Sequence, residues 1–537
     1  MSSDVQGFVD DYSAELREAE IAAASAQWDM ETTGSEETKA RVVETEIHYN
    51  AIFRRPDDWA RVQRTYQDRS VIAGSDLRRQ MEILYRQFVG NQDQPDRFER
   101  RAKLAADVSA DFTSFRATVA GDQVSDNQIN QILRESTDSG AVEEAWRAGK
   151  EIGPVVARRV VELAQLRNEA ARDLGYADYY HQQLDLQEIK IDDLFALLGE
   201  LDQATREPFA RTKAGLDEKL AARFGVDRAD LMPWHYANPF FQEPPSLDAV
   251  SLNQIFEGKD VVEISVDTFD RAGLEVRDIL ERSDLYERPG KNQHAFCTEF
   301  DRLASDVRIL CNVRPDEYWM ETMLHELGHA VYDKYLGPQL PFLLRQPAHT
   351  NSTEAIAMLF GRLSRNGIWL SEVAGAPANQ AAELSRAAQR DLSFKMLTFV
   401  RWVLVMAHFE RALYEKPDRP DLNQLWWELV ARFQLLRPPR DRLEEAGKPD
   451  WAAKIHIALY PVYYHNYVIG ELTASQIQDR LEAEYGNRWF TDPRAGEFLR
   501  ERLFDLGARY RWDDTVERVT GRALSPSFFA DQFVLEA

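Results

Sequence analysis

Two histidines four residues apart, in His325-Glu326-Leu327-Gly328-His329, constrain this chain more than any other feature. On an α-helix, positions four apart share one face. Both imidazoles therefore reach one divalent ion only if this stretch is helical. Glu326 follows the first histidine and points beside such an ion rather than at it, which suits it to take a proton from a metal-activated water. The flanks agree with a helix: Met323, Leu324, Leu327, Ala330, Val331 and Tyr335 can pack, and Gly337-Pro338 ends it.

A catalytic zinc has three protein ligands and one open position. Glu354, 25 residues after His329 in Asn351-Ser352-Thr353-Glu354-Ala355-Ile356-Ala357-Met358, is the candidate third ligand for one Zn2+. This segment reads as the start of a second helix with Asn351 or Ser352 as its cap. A loop and an antiparallel return then bring Glu354 to the imidazoles. The competing role for Glu354 is stabilisation of the helix N-terminus.

The rest of the chain sets the stage for this pair of helices. From Asp4 to about Phe88 apolar residues fall at helical spacing, and Gly90 to Pro95 is a break. A helix is expected from about Arg97 to Val119, with a turn at Asp122 to Ser125. Val142 to Leu174 reads as helix with a kink at Gly153-Pro154, ending at Gly175. Two helices fit Ile191 to Phe224, and Pro233 to Pro245 reads as an ordered loop. His294 to Phe300 and Asp306 to Val313 have strand character, and Asp301 to Ser305 suits a hairpin. After Asp316 the pattern returns to helix. The expected fold is mainly α, with one small antiparallel sheet just before the motif.

Length and composition bound the partners. A chain of 537 residues with 44% hydrophobic residues has ample core. Its formal charge of -25, from 90 acidic and 65 basic residues, disfavours nucleic acid and anionic membranes as partners. No uninterrupted apolar run reaches membrane-spanning length. Only Cys297 and Cys311 occur, which excludes a disulfide framework but leaves a single bridge open. The first residues show no signal-peptide pattern. These readings favour a cytoplasmic location.

A further constellation lies at Lys454 to Tyr467, with two His and four Tyr in Lys-Ile-His-Ile-Ala-Leu-Tyr-Pro-Val-Tyr-Tyr-His-Asn-Tyr. Hydrolysis of an amide needs donors aimed at the developing oxyanion. His456 and Tyr467 are of suitable type, and Lys454 can pair with a carboxylate. The alternative for these tyrosines is an ordinary core role. The strand His294 to Phe300 can present backbone groups to an extended peptide, or be a structural hairpin.

Gly290 to Tyr332 resembles two related zinc-peptidase families. Gly290-Lys291, His294-Ala295-Phe296-Cys297-Thr298 and Leu324 to Val331 are similar to the oligoendopeptidase F and thimet oligopeptidase family. His294-Ala295, the His-Glu-x-x-His motif and Glu354-Ala355-Ile356 are similar to the angiotensin-converting enzyme family. So are Leu166 to Arg172 with Gly175-Tyr176, Leu425-Trp426-Trp427-Glu428-Leu429, Arg437-Pro438-Pro439 and Ala453 to Ile457. The resemblance covers roughly residues 140 to 475. It implies His325, His329 and Glu354 as zinc ligands and Glu326 as general base. It also implies His456 and Tyr467 as stabilisers of the tetrahedral intermediate, Lys454 and Tyr464 as binders of the substrate C-terminal carboxylate, and His294 and Ala295 as substrate-backbone contacts. The implied fold is an elongated multi-helix body, residues 1–537 as a single unit, divided by a deep channel that admits short peptides. Residues 1–140 would form a helical lid region and 141–537 the catalytic region.

The sequence departs from the converting-enzyme pattern at several points. The spacing from His456 to Tyr464 and Tyr467 is one residue longer. Asn466 replaces an arginine tied to chloride activation. Met358 stands where a carboxylate would orient a zinc histidine, so another partner must do so. The glutamine that helps bind the C-terminal carboxylate has only Gln242 as a weak candidate. The expected activity is zinc-dependent hydrolysis of short peptides, as a peptidyl-dipeptidase. An oligoendopeptidase is the alternative, and a silent peptide-binding scaffold a third reading. Oligomeric state is not legible.

Overall fold

The computed structural model describes residues 2–245, 251–444 and 447–534. The described residues are mainly α: 24 α-helices and two antiparallel sheets of two strands each. Contacts divide the chain into two interleaved units. The first comprises Met1–Gln92, Val250–Gln389 and Ile469–Phe528; the second comprises Asp93–Ala249, Arg390–Val468 and Phe529–Ala537.

In the first unit the motif sits on a helix, Glu317–Lys334, capped by the Asp316 side chain accepting from Trp319 N–H. One side of that helix carries Met320, Met323, Leu324, Leu327 and Val331, all fully buried. They pack in a core with Ile356 and Phe360 of the next helix, Thr350–Gly361. Apolar residues at helical spacing thus fix which side of the motif helix faces inward and leave the histidines on another side. A second apolar cluster joins Phe8, Tyr12 and Leu16 of Ser2–Thr33 to Phe53, Val62, Met81 and Phe88.

The hairpin before the motif pairs Phe296–Asp301 with Asp306–Leu310, with Phe296 opposite Leu310 and Thr298 opposite Arg308. His294 and Ala295 immediately precede it rather than lying within it. A second hairpin, Ala117–Val119 with Asp122–Val124, was not expected. The helix foreseen to Val119 stops at Ser114, and the turn lies at Ala120-Gly121, both with positive φ. Only three residues a side are too few to show a period-2 pattern.

In the second unit Ile191–Phe224 is one helix of 34 residues, not two, and Pro208 is accommodated within it. The kink expected at Gly153-Pro154 is a break at Glu151, between Ser139–Lys150 and Ile152–Asp173; Pro154 sits in the first turn of the second helix, where its missing N–H has no cost. An aromatic core surrounds Trp146, Trp402, Trp426 and Trp427. Two buried polar residues of Leu166–Arg172 lock distant segments. Arg167 donates to the Ala458 carbonyl at 2.8 Å, and Asn168 donates to the Tyr414 carbonyl at 2.7 Å. Trp427 donates its indole N–H to the buried Asp450 at 2.9 Å.

One helix, Ala378–Glu415, is long and apolar enough to cross a membrane by length and composition, but 83% of its most apolar window is buried in the protein. Its hydropathy therefore belongs to the core.

Candidate active site

The first unit brings the three expected metal ligands together. One ligand atom from each of His325, His329 and Glu354 lies within 4.8 Å of the others. The two Nε2 atoms are 3.2 Å apart, and Glu354 Oε2 is 3.8 Å from one and 3.9 Å from the other. Bonds of about 2.0 Å at tetrahedral angles place neighbouring ligand atoms about 3.3 Å apart. The set therefore fits zinc: two imidazoles, one carboxylate, and a fourth position left to water or substrate.

Burial prepares these groups for a cation. It pushes His325 down to about 4 and His329 down to about 3, so both are neutral and able to ligate. Burial, followed by the charge of Glu471, raises Glu354 to about 7. Burial and then the charge of Glu354 raise Glu326 to about 8, while the backbone N–H of Cys297 donates to its carboxylate and pulls the other way. Buried carboxyls raised by neighbouring carboxylates in a desolvated site form a receptor for positive charge.

Close approach of two helices makes this convergence feasible. A Cβ on Gly328 would lie 2.7 Å from Ala357 Cα and 3.0 Å from the Ile356 carbonyl oxygen. Only glycine lets the motif helix sit this near the helix that delivers Glu354. That helix begins at Thr350 and its cap is His349, whose Nδ1 accepts from Asn351 N–H at 3.1 Å; neither Asn351 nor Ser352 is the cap.

The histidine-orienting partner that the sequence left open is Thr353. Its Oγ1 is 2.8 Å from His329 Nδ1. With Nε2 turned to the metal, Nδ1–H donates to the hydroxyl and fixes the tautomer. Thr353 adjoins Glu354 in the sequence, so one helical turn supplies both a ligand and a support. Met358, the position where a carboxylate was missing, packs near Gly470 instead.

The second unit gathers Lys454, His456, Tyr464 and Tyr467. Lys454 Nζ donates to Gln242 Oε1 at 2.7 Å. It also lies 5.6 Å from the Tyr464 ring centroid and 5.3 Å from that of Trp402. Gln242, a weak candidate by sequence, is thus at the lysine. Burial lowers Lys454 to about 8, with Glu243 opposing. The His456 ring is 5.1 Å from that of Tyr464, and the Tyr464 and Tyr467 rings are 5.6 Å apart. Burial, then Lys454, lowers His456 to about 4, and its buried Nδ1 has no hydrogen-bond partner among the described residues.

The turn with one extra residue between His456 and Tyr464 holds Val462 at φ +56°, an unusual conformation for a β-branched residue. Its N–H donates to the buried Glu410 at 2.9 Å, which anchors the turn. Asn466 donates to Gln187 Oε1 at 2.7 Å and is buried. His294 is exposed and Ala295 half-buried. Cys297 and Cys311 are unpaired thiols.

Fold and ligand set together define a zinc metallopeptidase of the His-Glu-x-x-His type with a glutamate third ligand. A family model described as Peptidase family M3 matches residues 132–535, and one described as Angiotensin-converting enzyme matches residues 1–204. The first match spans well over half of the chain, which belongs to Peptidase family M3. The protein is accordingly a zinc-dependent hydrolase of peptide bonds, and the expected resemblance to both families is found, that to the converting enzyme over residues 1–204.

Proposed function

We propose that this enzyme is a peptidyl-dipeptidase that releases dipeptides from the free C-termini of short peptides. The observation that carries the reading is the contact between Lys454 and Gln242 beside Tyr464. An ammonium and a phenol of buried residues, with a half-buried amide, form a receptor for one carboxylate.

His325, His329 and Glu354 would hold the zinc, which when bound supplies Lewis acidity, polarising a carbonyl and lowering the pKa of water toward about 7. Glu326 accepts the proton of the attacking water at its carboxylate and delivers it to the departing amine. The Cys297 N–H keeps that carboxylate oriented. Tyr467 and His456 donate hydrogen bonds to the developing oxyanion; a phenol does so without ionising. His294 and Ala295, leading into the hairpin, offer backbone partners to an extended substrate. We also propose a cytoplasmic location, on the two unpaired thiols.

Oligoendopeptidase action is the second reading, favoured by the M3 match across 132–535, where the converting-enzyme model does not extend beyond 204. Mass spectrometry of products from peptides with free and amidated C-termini decides. Sequential dipeptide loss that amidation blocks is expected; internal cuts indifferent to amidation would overturn the reading. Glu326→Gln should keep its zinc and lose at least a hundredfold in turnover. Near-normal turnover would remove Glu326 from the mechanism.

A further inference from the structure

A cavity of about 390 Å³ in the second unit is lined by Lys454 and Gln242 and also by a second lysine, Lys150. Lys150 ends the helix Ser139–Lys150 and is only 3% exposed. Its ammonium stands 3.2 Å from the Phe240 ring centroid and 5.1 Å from that of Trp146. Lys454 Nζ is 5.4 Å from the same Phe240 centroid. The two nitrogens are therefore no farther apart than those two Phe240 distances combined. Lys454 has Gln242 as a partner, whereas the Lys150 ammonium makes no hydrogen bond or ion pair among the described residues.

Ring faces favour a cation but do not replace its lost hydrogen bonds, and a buried ion without a polar partner is costly. The negative charge that acts on it, Asp450, makes no hydrogen bond to it and instead accepts from Trp427 and pairs with Arg442. Burial holds the Lys150 amine well below its ordinary range, Asp450 opposing and Arg442 and Lys454 adding to the effect. Asp126, across the cavity, is itself raised by burial. What Lys150 lacks is an anion supplied from outside the chain.

We propose that Lys150 reads the side chain of the substrate's last residue, taking the carboxylate of a C-terminal glutamate or aspartate while Lys454 and Gln242 hold the α-carboxylate. The inference rests on the dipeptide-release reading. Two carboxylates a few bonds apart on one residue meet two ammoniums near one ring. The Phe240 ring near both nitrogens offers an apolar wall to the side-chain methylenes, which favours glutamate over the shorter aspartate. The substrate class is thus peptides with acidic C-termini.

The test uses full-length, zinc-loaded enzyme and peptides that differ only in a last residue of Glu, Asp or Gln, each as free acid and as α-amide. For the wild type, kcat/KM is expected to be at least tenfold higher for Glu than for Gln. In Lys150→Met and Lys150→Gln that ratio should fall to within twofold, with thermal unfolding checking that the variants are folded. Equal rates for Glu and Gln in the wild type overturn the proposal, as does a preference that survives in a folded variant. Should neither variant fold, competition by the dipeptides Ala-Glu and Ala-Gln against the wild type decides: equal inhibition overturns the assignment. Internal cleavage unaffected by amidation sinks the dipeptide-release reading and this proposal with it. Dipeptide release blocked by amidation, with no preference for Glu, sinks only the role of Lys150.

Discussion

Thr353 makes a single hydrogen bond that the metal site depends on. Removing it leaves His329 Nδ1–H without an acceptor in a half-buried site and frees the ring to turn. Thr353→Val should weaken zinc binding by about 10–100-fold, measured by chelator competition, with activity recovering in excess zinc. Thr353→Ser should retain both. Lys454 supplies a pH signature. Its pKa of about 8 when folded lies below the ordinary value of about 10.4, so unfolding takes up a proton between the two. This group therefore adds stability as pH rises through that window. Carboxylate capture behaves oppositely, because it needs the charged ammonium. The ratio of kcat/KM for free-acid over amidated peptides should fall above about pH 8, and a flat ratio would place the carboxylate elsewhere. Of these two residues, Lys454 was legible from its motif. Thr353 was not, since a threonine early in a helix has many ordinary roles and only the His329 ring gives it this one.

Two glycines control how segments meet, one in each unit. Gly328 admits the backbone at Ala357, and Gly153 admits the Pro449 carbonyl, which would lie 2.4 Å from a Cβ there. Gly328→Ala must push the Thr350–Gly361 helix outward. We expect a loss of about 1–3 kcal/mol in stability, read by denaturant unfolding, together with weaker zinc binding. Gly153→Ala must displace the segment Asp450–Ala453 that leads into Lys454. It should raise KM for free C-terminal peptides while zinc content stays normal. Exchange of these two phenotypes would contradict the assignment of the sites to the two segments. The glycines show why the motif helix could be read in advance and its packing could not. Periodicity marks which side of a helix is apolar, but not which backbone it touches.

At the scale of the molecule, the candidate metal ligands all belong to one unit, and the groups proposed to bind the carboxylate, Lys454, Gln242 and Tyr464, all belong to the other. Zinc removal should abolish turnover reversibly yet leave dipeptide binding. Calorimetry on the apoenzyme is expected to register a free dipeptide and not its amide; loss of both would mean that the metal organises the second cluster too. The mainly α character and the hairpin before the motif were readable because long periodic helices and bounded β-rich runs carry strong local signals. The 34-residue helix was misread as two, and the Ala117–Val124 hairpin was missed, because packing outweighs propensity in such short or interrupted stretches. The division into units was not visible either: it follows from contacts between segments hundreds of residues apart, on which local pattern is silent.

That division has a consequence for synthesis. Proteins made of consecutive domains can complete each one while the ribosome is still reading the next. Here the unit that begins with the opening 92 residues is finished by a segment ending at 528. Its early helices must wait, partly unburied, until residues 469–528 emerge, which leaves the nascent chain a long interval open to chaperones before that unit is complete.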